Sequence, residues 1–374
     1  MDSSLNLREG TRNALEQKIG RRKFLKIISA AAASIGLSGT AAVQLVEAAT
    51  QGLKPSVIWL HFQECTGCTE SLLRASHPDL AELLLDLISL DYHETLCAAA
   101  GHQVEKSLQD AMAANKGKYV LIVEGAIPEK DGGIYCKVGG KTAVDSLHEV
   151  AANAGAIIAI GSCASFGGIP AAPPNPTGAT GVPMILKDKT VVTIPGCPAN
   201  PYNLLGVVLQ FVALGSLPEL DDKGRPKFAY ARTIHEDCPR RPHFDAGRFA
   251  QMFGDENHRQ GHCLYKLGCK GPATHANCSL KHFSDVDGAW PIGIGHPCVG
   301  CTEQELAFKV PIHTTVDIER PTPPDTYPPI FAEHGGPSPV ATAVGGAVVG
   351  AALGAAWVQS RKLDAETAEK PKED

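Results

Sequence analysis

Four short apolar runs, each followed by residues able to bind metal or carry a proton, constrain this chain more than any other feature. Val57 to Phe62, Tyr119 to Val123, Ala156 to Ile160 and Val191 to Ile194 are rich in β-branched residues and alternate with helical stretches. That alternation predicts a parallel sheet with crossover helices between Lys54 and Leu214. Thr142, with Asp145 after it, resembles a capping box for a helix running to about Asn153. Asn200-Pro201 reads as an N-cap followed by proline at the first helical position. The first run leads into Glu64-Cys65-Thr66-Gly67-Cys68, the second into Glu124, the third into Gly161-Ser162-Cys163 and the fourth into Pro195-Gly196-Cys197. Open α/β sheets bind ligands outside the carboxyl ends of their strands, so Cys65, Cys68, Cys163 and Cys197 are predicted to converge on one rim. Four thiolates there match a 4Fe-4S cluster. A single Cys-x-x-Cys is less specific, since zinc and redox dithiols use it too, and an isolated buried cysteine is usually a small apolar residue.

From His235 onward further ligand types crowd together. His235 and Cys238 stand at metal-ligand spacing, and Cys263 and Cys269 complete a candidate four-ligand site. Cys278, Cys298 and Cys301 remain, the last two within His296-Pro297-Cys298-Val299-Gly300-Cys301. Structural zinc suits His235, Cys238, Cys263 and Cys269 as well as iron-sulfur does, and spacing alone does not separate them. Disulfides would pair these cysteines but leave the His-x-x-Cys spacing unexplained. An iron-sulfur reading accounts for the three-cysteine remainder as a 3Fe-4S cluster, and several clusters in one chain imply electron transfer. With 38 Gly and 27 Pro in the chain, the second half is expected to be irregular.

Both ends read as membrane signals. Arg21-Arg22-Lys23-Phe24-Leu25-Lys26, the Ala-rich stretch from Ile27 to Val46 and the cleavage pattern Val46-Glu47-Ala48 make residues 1–48 a twin-arginine export signal. Proteins on that route fold and load cofactors before crossing, which favours cofactor ligation over six disulfides for the 12 cysteines. Residues 340–358 carry no charge and are followed by Arg361 and Lys362, which predicts a C-terminal transmembrane helix and a cytoplasmic tail over 359–374. Gly346, Gly350 and Gly354 would give that helix a smooth face for another membrane helix. Residues 321–339, rich in Pro and Gly, read as a linker. The net charge of -6 leaves no basic surplus for phosphates, so no nucleic-acid partner is expected.

Taken together, these residues resemble the small subunits of membrane-bound, uptake-type nickel-iron hydrogenases, particularly the hydrogenase-2 type. The stretches that carry the resemblance are Trp59 to Pro78, Gly161 to Gly168, Ile194 to Pro201, Ile234 to Arg248, Leu264 to Pro272 and Trp290 to Cys301. It implies a flavodoxin-like domain over 54–214, a loop-rich iron-sulfur cluster domain over 215–320, then the linker and one transmembrane helix. It implies that Cys65, Cys68, Cys163 and Cys197 hold a proximal 4Fe-4S cluster nearest the nickel-iron centre of a large subunit. His235, Cys238, Cys263 and Cys269 would hold the distal 4Fe-4S cluster, and Cys278, Cys298 and Cys301 the medial 3Fe-4S cluster, with Pro291 in place of a fourth ligand. Cys97 and Cys136 are left as structural thiols.

Oxygen-tolerant members carry two further cysteines where this chain has Gly67 and Gly168, which implies the standard, oxygen-sensitive kind. Glu64 and Glu124 are expected either as proton carriers near the subunit interface or as solvated or salt-bridged carboxylates. No catalytic residue is expected in this chain, which lacks the Arg-x-Cys and Asp-Pro-Cys signatures of nickel-binding large subunits. The implied role is to relay electrons from hydrogen oxidation in the large subunit to a ferredoxin-like or quinone-reactive membrane subunit, on the periplasmic side of the inner membrane. Two other readings stand beside it. An exported, tail-anchored binding protein would use zinc or disulfides, and a small cluster subunit of a quinone-reducing complex would share the α/β domain but generally lack the second-half ligands and the export signal.

Overall fold

The structure, a computed structural model, describes residues 54–319 except residue 77 and residues 85–87. The expected export signal, linker, transmembrane helix and tail lie outside the described residues. Among the described residues no helix is long and apolar enough to cross a membrane.

Strands β1 (Ser56–His61), β2 (Ser89–His93), β3 (Val120–Glu124), β4 (Ala156–Ile160) and β5 (Val192–Ile194) form one sheet in the order β2-β1-β3-β4-β5. Every neighbouring pair is parallel. Four of these strands coincide with the apolar runs to within a residue or so. The fifth, β2, has no apolar run to mark it, for a physical reason: it is an edge strand, and three of the five residues in Ser89-Leu90-Asp91-Tyr92-His93 are only half-buried.

The crossovers carry α1 (Gly67–Leu73), α2 (His102–Ala114), α3 (Ala143–Ala151) and α4 (Gly161–Phe166), and α5 (Pro201–Leu214) follows the last strand. Both foreseen N-caps are present, although Asp145 completes no reciprocal box: its carboxylate accepts from the Thr142 hydroxyl at 2.7 Å. Thr142 Oγ1 accepts from the Asp145 N–H at 3.2 Å, and Asn200 Oδ1 from the Tyr202 N–H at 3.0 Å with Pro201 opening α5.

Side chains alternate between the two faces of the sheet. Val57, Trp59, Val120, Ile122, Ile158 and Ile194 join Leu72 of α1 and Leu205 and Val208 of α5. Ile58, Leu60, Leu121, Val123 and Ile157 join Leu108 of α2 and Leu147 and Val150 of α3. With both faces covered, the central strands read as unbroken apolar runs, and each fully buried aliphatic side chain contributes on the order of 2 kcal/mol.

The strand order matters for function. The chain leaves β1 toward β2 on one side and β3 toward β4 and β5 on the other, so β1 and β3 flank the switch point of a doubly wound sheet, where a crevice opens beyond the strand ends. After α5 the chain changes character. It has helices of four or five residues at Lys227–Tyr230, Arg241–Asp245 and Glu256–Arg259, joined by 3-10 turns and loops. Its core is continuous with one face of the sheet, because Tyr230, Ile234, Trp290 and Ile292 belong to the same apolar cluster as Val57 and Leu205. Specific bonds tie the two parts: Tyr230 donates to the Pro195 carbonyl at 2.7 Å, and the Asn203 and Asn277 amides pair at 2.9 and 3.2 Å.

Candidate metal-cluster sites

The rim holds the first site. α1 starts just beyond β1 and α4 starts directly at the end of β4, which puts Cys68 and Cys163 in first helical turns facing the crevice. The four thiols lie within electrostatic reach of one another: Cys68 feels Cys163 and Cys197, Cys163 feels Cys197 and Cys65, and Cys197 feels Cys65. Burial pushes the Cys68 thiol well up and that of Cys163 to about 11, with the Glu124 carboxylate adding to both. Backbone N–H groups offset this in part, Ala199 pointing at the Cys68 sulfur and Ile169 at the Cys163 sulfur. Cys65 and Cys197 are exposed, so the site opens at the surface.

Space at the rim depends on two glycines. A Cβ on Gly161 would stand 2.5 Å from the Cys68 sulfur, and one on Gly168 would stand 2.7 Å from the Cys163 nitrogen and 2.8 Å from its sulfur. Both have positive φ, so a side chain at either position is strained as well as crowded. Gly67 is tolerant by comparison, its Cβ position being 3.1 Å from the Cys65 sulfur.

The second half brings together the other predicted residues around two voids. One is lined by Cys278, Cys298 and Cys301 with Trp290 and Pro291, and it reaches Cys197. The other is lined by His235, Cys238, Cys263 and Cys269, with Arg240 and Ile292. Burial pushes the thiols of Cys238, Cys263, Cys278 and Cys301 to about 12. Burial also lowers His235 to about 4, with the Arg241 guanidinium adding to the effect, so the imidazole is neutral at pH 7. The His235 Nε2 atom is buried without a hydrogen-bond partner.

A buried thiol disfavours its anion unless a cation compensates, and an orphaned neutral imidazole nitrogen is a vacant donor. Both observations fit metal ligation. Among the described residues no three His, Cys, Asp or Glu donors draw together closely enough for a single ion. They surround voids instead, a spacing that suits a polynuclear cluster, with ligands at its corners, better than one tetrahedral zinc. None of the described cysteines is paired in a disulfide. A cavity of about 510 Å³ between Ser165, Met184, Lys189 and the Asp221–Arg225 turn touches none of these donors.

The three sites touch in series. The Cys197 N–H points at the Cys301 sulfur, and Ser162 Oγ donates to the Cys301 carbonyl. The Cys298 N–H points at the Cys269 sulfur, and the Lys270 N–H donates to the Cys298 carbonyl at 2.8 Å. The void of Cys278, Cys298 and Cys301 therefore lies between the other two.

The two carboxylates singled out in the sequence differ. Glu124, only 2 % exposed, accepts from Trp59 Nε1 at 3.2 Å, the Cys68 N–H at 3.0 Å, the Thr69 N–H at 3.3 Å and Thr69 Oγ1 at 2.6 Å. It anchors the first turn of α1, where Thr66 supplies no side-chain cap, and so fixes Cys68. Glu64 accepts from Thr66 Oγ1 at 3.3 Å through one oxygen, while the other is buried without a partner. Burial, together with Glu124, raises its carboxyl above the usual range. Cys97 accepts from the His93 N–H at 3.1 Å, and Cys136 is half-buried on the α2/α3 side of the sheet.

Other residues were not visible as functional in the sequence. Arg225 and Glu303, 4 % and 5 % exposed, pair at 2.7 Å, and Glu303 also takes Lys223 Nζ at 2.7 Å and the His275 N–H at 2.9 Å. This network holds the segment just after Cys301. Nothing in one sequence links residues this far apart.

Comparison with known proteins divides the chain in the same way. Residues 65–211 match the family model "NADH ubiquinone oxidoreductase, 20 Kd subunit", and residues 230–313 match the family model for the C-terminal part of the NiFe/NiFeSe hydrogenase small subunit. The chain is 53% identical over 347 residues to the Hydrogenase-2 small chain of Escherichia coli (strain K12), covering 92% of this chain and 93% of that one. It is 48% identical over 295 residues to the quinone-reactive Ni/Fe-hydrogenase small chain of Wolinella succinogenes, covering 78% and 83%. Among solved structures, the reduced, active Ni-Fe-Se hydrogenase of Desulfomicrobium baculatum matches with a TM-score of 0.66 at 35% identity, covering 71% of this chain and 100% of that one.

Proposed function

Because the chain belongs to the small subunits of nickel-iron hydrogenases, an oxidoreductase family of electron-transfer subunits that pair with a large subunit, we propose that it holds three iron-sulfur clusters in a row. On this reading Cys65, Cys68, Cys163 and Cys197 hold the proximal 4Fe-4S cluster. Cys278, Cys298 and Cys301 hold the medial 3Fe-4S cluster, with Pro291 against it, and His235, Cys238, Cys263 and Cys269 hold the distal 4Fe-4S cluster. Hydrogen is split in the large subunit, and the electrons leave through this chain. The single observation that carries the proposal is the serial contact of the three donor sets, through Cys197 with Cys301 and Cys298 with Cys269.

Clusters bound there would supply one-electron carriers whose potentials respond to ligand type, charge and exposure. What the chain's own residues do follows from their surroundings. The apolar walls around Cys278 and Cys298, including Trp290 and Phe283, keep water from the middle site. The exposed Cys65 and Cys197 leave the rim open for the large subunit to cover. Glu64, with one buried oxygen unpartnered, is the carboxylate able to take a proton at that edge, whereas Glu124 is occupied in holding α1.

The acceptor is a membrane subunit, ferredoxin-like or quinone-reactive, and the name of the Wolinella succinogenes relative supports a quinone link. Export by the twin-arginine signal at residues 1–48 and anchoring by residues 340–358 would hold the complex on the periplasmic side of the inner membrane.

Chemical analysis of the chain purified with its large subunit tests the core of this. We expect iron and acid-labile sulfide in proportions for two four-iron clusters and one three-iron cluster, with an electron-spin signal of oxidised three-iron type. Zinc without sulfide would sink the proposal.

A further inference from the structure

Lys270 follows the proposed ligand Cys269 and is fully buried, at 0 % exposure. Its ammonium carries three N–H donors. These go to the carbonyls of Pro311 and Ile312 at 2.8 Å each and of Thr314 at 3.4 Å. All three partners are neutral, and no carboxylate pairs with it among the described residues. A buried charge with no counter-charge is costly.

The negative charge that would offset that of Lys270 belongs to clusters on its chain neighbour Cys269 and on Cys298. The Lys270 backbone donates to the Cys298 carbonyl at 2.8 Å, and its Cδ lies 3.3 Å from where a Cβ on Gly300 would stand. Lys270 thus stands at the joint between the two second-half voids: it follows Cys269 of one in the chain, and its backbone and stem both lie along the Cys298–Cys301 loop of the other.

We infer that Lys270 is a fixed counter-charge shared by the two second-half clusters and raises the reduction potential of both. The inference rests on the cluster reading proposed above. Adding an electron to a thiolate-bound cluster adds negative charge in a medium of low dielectric, and a nearby ammonium stabilises that state. Cys68 and Cys163 at the rim face the opposite sign, the Glu124 carboxylate. The row of clusters therefore runs from a carboxylate at one end toward an ammonium beyond it. Lys270 acts by position and takes no part in bond making.

The test is an electron-spin-monitored redox titration of the complex carrying Lys270→Met, which removes the charge and keeps most of the stem. The three-iron midpoint is expected to move to more negative potential, the distal one to follow by less, and the proximal one to stay. Lys270→Arg should restore both. Unchanged midpoints in a variant with full iron and sulfide, or an equal shift of all three clusters, would overturn the inference. If Lys270→Met does not load its clusters, Lys270→Arg decides: assembly with near wild-type midpoints supports the charge, and failure to assemble makes the residue a structural pin for residues 311–314. Absence of iron and sulfide from the wild-type complex would instead sink the cluster reading itself.

Discussion

At the rim, Cys65, Cys68, Cys163 and Cys197 follow strands or open helices, and the backbone of a five-stranded sheet fixes where they stand. In the second half the proposed ligands lie on loops between helices of four or five residues, and side chains do the fixing. Lys270 binds three carbonyls of residues 311–314, Arg225 and Glu303 clamp the segment after Cys301, and Asn203 and Asn277 join α5 to the loop before Cys278. A regular sheet satisfies its own backbone groups, so the rim can be built from apolar runs. Irregular backbone must find its partners elsewhere, which is why charged groups are buried here beside the apolar core.

This contrast can be broken or sharpened by experiment, and acid should act most strongly on the loop-rich half. Glu303 accepts from His275, Lys223 and Arg225, which outweigh burial and hold its carboxyl at about 2 against an ordinary value of 4.5. Its folded value is depressed, so its contribution is complete above pH 4.5 and is lost as pH falls from 4.5 toward 2. By linkage the loss is about 3 kcal/mol. Melting of wild-type and Glu303→Gln complexes across that range should show the wild-type advantage shrinking as acid is added. An advantage independent of pH would mean that the network does not hold this half together.

A smaller effect is expected from one methyl group at the rim. Gly161→Ala forces a positive φ on a residue with a side chain and pushes at the Cys68 sulfur, for a cost of about 2 kcal/mol. The sharper readout is selective: on the proposed cluster assignment, iron should be lost from the rim site while the three-iron signal assigned to the second half persists. Equal loss from both regions would show that the two are not built independently. Smallest of all should be Lys227→Ala, which removes an exposed partner of Glu219, and a change above about 0.5 kcal/mol in the melting free energy would be unexpected for such a pair.

Oxygen tolerance bears on the same contrast. The family resemblance marks Gly67 and Gly168 as the places where further cysteines occur, and the structure makes them unequal. At position 67 a Cβ crowds only the Cys65 sulfur, at 3.1 Å, whereas at position 168 it meets the Cys163 backbone at 2.7 Å and the local φ is positive. A second cysteine there requires the backbone to shift as well as the side chain to change.

Much of this was legible in the chain itself. Apolar runs located four of the five strands because both faces of the sheet are buried, and each reactive group after a strand had to lie at the same edge. Thr142 and Asn200 announced their helices because a cap is a local bond. The spacing of His235 and Cys238 and the grouping of the later cysteines marked the donors that line the second-half voids.

Only the tertiary structure decided the rest, because those contacts join residues that no local pattern relates. Edge strand β2 has no apolar run to betray it. In the sequence Glu124 reads as a proton carrier or a solvated or salt-bridged carboxylate; in the fold its oxygens accept from Trp59, Cys68 and Thr69. The serial order of the three donor sets depends on Cys197 meeting Cys301 and Cys298 meeting Cys269, and the charge of Lys270 acquires meaning only at the joint between them. Sequence thus fixes which groups can bind and at which ends of which elements. Folding decides which of them share a void, since that depends on distances through space that the chain does not encode locally.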